Sequence, residues 1–110
     1  VTADSASIGE GVFIGKNAVV NSDAVIGEHT IINTGSIVEH DCRVGAFSHI
    51  AVGAVLCGGV ETGEDVFVGA NATVIQGIRI GTRSVIGAGS VVLKNVDSDR
   101  RIVGSGVILK

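Results

Sequence analysis

The sequence predicts an all-β fold, a parallel β-solenoid of very short strands wound into three-sided coils. Three observations predict it. Aliphatic residues recur every six positions from Ile8 onward, glycine gathers in the position that follows them, and the fifth position of each six is kept small or β-branched. A six-residue period is neither helical nor a simple strand alternation, so the repeat has to be read before any single element.

Written in sixes from Thr2, the first column reads Thr2, Ile8, Ile14, Val20, Ile26, Ile32, Val38, Val44, Ile50, Leu56, Thr62, Val68, Val74, Ile80, Ile86 and Val92, in which only Thr2 and Thr62 are not aliphatic. The second column holds Gly9, Gly15, Gly27, Gly45, Gly63, Gly69, Gly81 and Gly87, and the fifth runs from Ala6 through Cys42 and Ser48 to Val96. Each hexad is one short strand and a turn, because β-branched residues suit strands and glycine permits turn geometry. Three hexads close a triangular coil, so residues i and i+18 stack about 4.8 Å apart. The aliphatic column points inward, with small residues beside it because a three-sided tube has a narrow lumen. The register runs over residues 1–97, a little over five coils, each touching only its neighbours. The remaining segment 98–110, "SDRRIVGSGVILK", reads as a loop and a short C-terminal cap.

The 110 residues suffice for one domain. No apolar run approaches a membrane span, and no signal-peptide pattern is present. Two cysteines make no disulfide framework, which points to a reducing cytoplasm. Charge is uneven. Residues 1–78 carry two basic and nine acidic side chains, whereas residues 79–110 carry Arg79, Arg83, Lys94, Arg100, Arg101 and Lys110 against Asp97 and Asp99. Either this is a solvated surface or the C-terminal end meets an anionic ligand. An acidic total with three aromatic residues argues against nucleic acid.

The repeat over residues 2–97 resembles the left-handed parallel β-helix of the hexapeptide-repeat superfamily, and the left hand is taken from that resemblance. Most members are acyltransferases that use acyl-CoA or acyl-carrier protein, usually as trimers with the active site between adjacent subunits. The scaffold leaves function to its sites. His40 occupies a turn position in the stack Asp4, Ser22, His40, Gly58, Gln76, Lys94. It is either an exposed polar turn residue or a general base, since a neutral imidazole can accept a proton at cytoplasmic pH. Asp41 or Glu39 could orient it, and the Gly58 N–H could meet a thioester oxygen as charge develops. His49 lies half a coil away in the outward column Phe13, Ile31, His49, Phe67, Val85, whose apolar character supports a packed interface. His29 is on neither stack and reads as a solvated turn histidine. Cys42 reads as core.

Within the superfamily, residues 32–59, "INTGSIVEHDCRVGAFSHIAVGAVLCGG", are similar to the acetyltransferases of nucleotide sugars and sialic acid in bacterial surface-glycan pathways. The matching positions are Asn33, Thr34, Ser36, Glu39, His40, Asp41, Phe47, Ser48 and His49. The resemblance implies acetyl-CoA as co-substrate, no metal, His40 as base tuned by Asp41, and Asn33 near the acceptor amine or the base. It implies contacts to acetyl-CoA from His49 and from backbone at Ala70 and Ala88, which stack eighteen residues apart. Lys94, three coils above His40, then stands near the cofactor phosphates with the other basic residues. Two family features are expected to be missing: the small N-terminal sugar-binding domain, and the closing Gly-x-Pro-Ala-Lys, here Gly104-Ser105-Gly106-Val107. The expected activity is acetyl transfer to an amine or hydroxyl of a sugar by a cytoplasmic homotrimer. The alternative is a non-catalytic β-solenoid scaffold or an inactive excised domain. A carbonic anhydrase of this fold would need a third histidine on one metal, and an ice-binding solenoid a threonine ladder, which the chain lacks.

Overall fold

The computed structural model describes residues 1–109. Lys110, counted above among the basic residues and in the cap, lies outside the described residues. Strands β1 (Ser7–Ile8), β2 (Phe13–Ile14), β3 (Val19–Val20), β4 (Val25–Ile26), β5 (Ile31–Ile32), β6 (Ile37–Val38), β7 (Arg43–Val44), β8 (His49–Ile50), β9 (Val55–Leu56), β10 (Glu61–Thr62), β11 (Phe67–Val68), β12 (Thr73–Val74), β13 (Arg79–Ile80), β14 (Val85–Ile86) and β15 (Val91–Val92) follow at six-residue intervals. They stack into three parallel sheets, β1-β4-β7-β10-β13, β2-β5-β8-β11-β14 and β3-β6-β9-β12-β15. The register is the expected i to i+18, as in Ile31 beside His49 and Phe67 beside Val85. The result is a three-sided β-solenoid 38 Å long and 20 Å across. No helix is present among the described residues, so none is long and apolar enough to cross a membrane.

The second residue of each strand from β1 to β15 is aliphatic except Thr62 in β10, and from Val20 to Val92 this column is buried. Each such side chain contributes roughly 1.5–3 kcal/mol. Ile8 is exposed and Ile14 half-buried, because no coil of the described residues lies beneath them. Four of the five hydroxyls in the inward fifth column donate to backbone carbonyls, as Thr30 Oγ1 does to Gly45 O at 3.0 Å and Ser84 Oγ to Asp97 O at 2.6 Å, while the buried Ser90 Oγ finds no partner among the described residues.

The corners correct the expected role of glycine. The left-handed conformation belongs to the fourth place of the hexad, where every residue from Gly11 to Gly89 has φ between 55° and 75°. Asn and Asp take most of the places that glycine does not, as their short side chains tolerate this region. His29, Phe47 and Arg83 are the exceptions, and all three lie on one edge. The second-column glycines answer a different need. A Cβ on Gly45 would collide with the backbone of Gly63 and lie 2.7 Å from Glu64 N, so this glycine sets the approach of successive coils.

The three outer faces differ. The first sheet presents Ser7, Val25, Arg43, Glu61 and Arg79. The second presents Phe13, Ile31, His49, Phe67 and Val85, the third Val19, Ile37, Val55, Thr73 and Val91. Two neighbouring faces are therefore apolar, not the one singled out above. Past β15 the coil shortens by two residues: Val96 pairs with Ile80, and β16 (Arg101–Val103) runs parallel to β14 with Arg101 beside Val85. Stacking thus continues beyond Asp97, where the sequence period ends. Strand β17 (Val107–Leu109) then folds back antiparallel on β16.

Two glycine substitutions separate the two roles. Gly35 has φ 66° and open space around a built Cβ, so Gly35→Ala should cost only the left-handed strain, about 1–2 kcal/mol. Gly45→Ala must spread two coils and should cost about 3 kcal/mol. Thermal midpoints should rank wild type, Gly35→Ala, Gly45→Ala in falling order; the reverse order would refute the close-approach account.

Candidate active site

The corner between the third and first sheets carries Glu39, His40, Asp41 and Cys42 between β6 and β7. Asp41 makes the left-handed turn, with φ 61°, and its Oδ2 lies 3.1 Å from His40 Nδ1. An ionised carboxylate can only accept, so Nδ1 carries the proton and the Nε2 lone pair is left free. Glu39 is engaged elsewhere, accepting from Asn21 Nδ2 at 3.1 Å in the coil below. Of the two acids beside His40, the structure pairs it with Asp41. Both side chains are exposed, 62% and 65%, and such a pair adds at most about 1 kcal/mol of stability. Its chemical value is orientation of the ring.

Gly58 lies one coil above His40, and the imidazole rests against it. At each corner from His29 to Gly89 the fourth-place N–H donates to the third-place carbonyl of the coil below, as Gly59 N does to His40 O at 2.9 Å and Gly89 N to Ala70 O at 2.8 Å. Among the described residues, the third-place N–H groups of Gly58, Ala70 and Ala88 find no acceptor in the chain. Free amides thus line the solenoid edges as ready hydrogen-bond donors. Ala70 and Ala88 stack on the corner between the second and third sheets, not on the corner that holds His40 and Gly58.

His49 stands on the outer face of β8, half-buried, with Phe67 edge-on at 5.2 Å. Asn33 meets it. Asn33 Oδ1 accepts from the Thr34 N–H at 2.7 Å, which turns Nδ2 toward His49 Nε2 at 3.1 Å. Nε2 therefore accepts, and the His49 proton sits on Nδ1. Within one chain Asn33 and His49 form a unit, while His40 is on another side of the prism. The i to i+18 register already sets Asn33 two residues past the Ile31–His49 stack and a corner away from His40, but it does not by itself give the hydrogen bond. His29, read as a solvated turn histidine, stacks on Phe47 with ring centroids 5.5 Å apart.

At the C-terminal end, Lys94 and Arg100 share a cavity of about 240 Å³ beneath the β16–β17 hairpin, floored by Val92, Ile102 and Ile108. The other basic residues are distributed around the prism. Arg79 is on the first sheet, Arg101 on the second, and Arg83 is held on a corner by Asp99 through contacts of 2.7 and 3.0 Å. That bidentate contact raises the pKa of Arg83 and, from the other side, lowers that of Asp99. Cys42 is buried and donates to Cys57 O at 3.1 Å; burial pushes its thiol up to about 11, so it stays protonated and unreactive near neutral pH. Among the described residues no group of three His, Cys, Asp or Glu converges as metal ligands.

Residues 5–40 match the family described as bacterial transferase hexapeptide (six repeats), and residues 59–94 match the hexapeptide repeat of succinyl-transferase. No curated protein sequence matches significantly. Among solved structures, PerB from Caulobacter crescentus in complex with CoA and GDP-perosamine is 40% identical, with a TM-score of 0.99 over 100% of this chain and 54% of its own. A histidine-to-asparagine mutant of perosamine N-acetyltransferase from the same organism, also with CoA and GDP-perosamine, is 39% identical with a TM-score of 0.99 over 100% of this chain and 53% of its own. The acetyltransferase domain of PglB from Neisseria gonorrhoeae, in complex with acetyl coenzyme A, is 33% identical with a TM-score of 0.97 over 98% of this chain and 53% of its own. The chain thus spans about half the length of these relatives. The uninterrupted hexads, the three parallel sheets and these matches agree, and the chain belongs to the hexapeptide-repeat family of bacterial transferases.

Proposed function

We propose that the chain transfers the acetyl group of acetyl-CoA to an amine or hydroxyl of a nucleotide sugar, with His40 as general base. The observation that carries this reading is the His40–Asp41 pair: an exposed imidazole oriented through Nδ1, with Nε2 free and the unpaired Gly58 N–H one coil above. Relatives that hold CoA with GDP-perosamine, or acetyl coenzyme A, support the choice of substrates. Nε2 takes a proton from the acceptor as its nitrogen or oxygen attacks the thioester carbonyl. The Gly58 N–H faces the oxyanion of the tetrahedral intermediate. Collapse breaks the C–S bond, and the imidazolium returns its proton to the leaving thiolate.

The working unit in this reading is a homotrimer in the cytoplasm. The second and third sheets both present apolar outer faces, which copies of the chain would cover. Packing the third sheet of one copy on the second sheet of the next brings the His40 corner toward His49, Asn33 and the amides of Ala70 and Ala88. These contact acetyl-CoA, and His49 offers a donor through Nδ1. Lys94 and Arg100 receive phosphates. The free thiols Cys42 and Cys57 suit a reducing compartment.

His40→Ala should lower turnover about 10²–10⁴-fold with acetyl-CoA and GDP-perosamine while leaving the fold and CoA affinity intact. Full activity in this variant would refute the base. Sedimentation should give a trimer at micromolar concentration, and Phe67→Glu or Val55→Glu, one on each of the two adjoining apolar faces, should each yield monomers; a stable wild-type monomer would defeat the shared site. CoA affinity, measured by calorimetry, should weaken as salt rises, because its phosphates meet exposed cations. Absence of CoA binding at low salt would favour a non-catalytic scaffold.

A further inference from the structure

We infer that Gly58 is a positioning residue for the base: its missing side chain is the seat of the His40 imidazole. This rests on the reading of His40 as general base. The third places of the hexads, from Asp4 to Lys94, hold acidic, basic, polar and aliphatic residues, and Gly58 is the only glycine among them. The backbone does not demand it. Gly58 has no positive φ; the left-handed corner is made by Gly59, with φ 71°. Ala70 and Ala88 occupy the same hexad place, so the place itself accepts a methyl group.

The His40 ring is what excludes one. A Cβ built on Gly58 would lie 2.6 Å from both Cε1 and Nε2 of His40 and 3.3 Å from Nδ1, and these are its three nearest neighbours. The ring is the exposed end of a side chain, so it moves rather than the coil. Movement breaks the 3.1 Å contact of Nδ1 with Asp41 and carries Nε2 away from the Gly58 amide. Alanine keeps that N–H, so Gly58→Ala removes the seat without removing the hydrogen-bond donor.

The experiment compares wild type, Gly58→Ala, His40→Ala and the double variant. Thermal midpoint, CoA affinity by calorimetry, and kcat and KM with acetyl-CoA and GDP-perosamine are measured on each. The ring is located by the nuclear Overhauser effect between His40 Hε1 and the Hα of residue 58. Gly58→Ala should keep its midpoint and CoA affinity, lose that effect, and lose about 10–100-fold in kcat, the scale of a misplaced catalytic group. The double variant should be no slower than His40→Ala, because the seat acts only through the ring. Undiminished kcat, a retained Overhauser effect, a defect confined to CoA affinity, or additive losses in the double variant would each overturn the seat. Full turnover in His40→Ala would instead remove the base reading, and the Overhauser effect alone would then decide whether Gly58 seats the ring.

Discussion

Each corner of the prism turns on a single residue in the left-handed conformation, repeated every six positions from Gly11 to Gly89. The rest of the structure depends on that constraint. With one such residue per corner, three two-residue strands close a coil of eighteen, and the backbone ladder of each coil lands on the next in register. Registry then converts sequence spacing into stacked columns. An aliphatic column fills the lumen, a small column lies beside it, and the remaining places face outward. Phe47 and Arg83 hold the left-handed corner without the usual relief of Gly, Asn or Asp, and each is joined to a neighbour one coil away, Phe47 by stacking on His29 and Arg83 by its bond to Asp99.

The same corner geometry makes the surface chemically usable. The fourth-place amide is consumed by the coil below, and the third-place amide is left without a partner at Gly58, Ala70 and Ala88. A solenoid edge is therefore a ladder of backbone donors about 4.8 Å apart, suited to an extended ligand that runs along the axis. The proposed reaction needs few side chains on such an edge. One imidazole, one carboxylate in a left-handed corner that holds it, and one glycine that leaves room for the ring make up the unit at His40, Asp41 and Gly58.

That unit and the Asn33–His49 unit are on different sides of one prism. In the proposed reaction they meet only when the apolar face of the second sheet in one copy covers the third sheet of another. Assembly would then do for this scaffold what loops do for enzymes whose active sites lie within one chain. The two apolar faces adjoin, while the first sheet, with Arg43, Glu61 and Arg79, is polar. In the proposed assembly this asymmetry would favour a closed ring of copies over a stack with all faces covered.

The six-residue period by itself determined the fold class, the inward columns and the stacking of i on i+18, because a repeat that cannot be helical and holds over so many coils leaves few ways to bury its aliphatic column. It also determined that His40 stands on a corner and Gly58 above it. Only the tertiary structure decided between Asp41 and Glu39 as the partner of His40, since both flank it in sequence and the choice turns on Glu39 being engaged by Asn21 in the coil below. It likewise joined Asn33 to His49, tied Arg83 to Asp99, and carried the stacking past Asp97 by dropping two residues from one turn. These are contacts between side chains on successive coils or at a broken period. A repeat specifies which columns are neighbours, but the rotamer and the spare hydrogen-bond partner that settle each contact depend on the coil above and the coil below together.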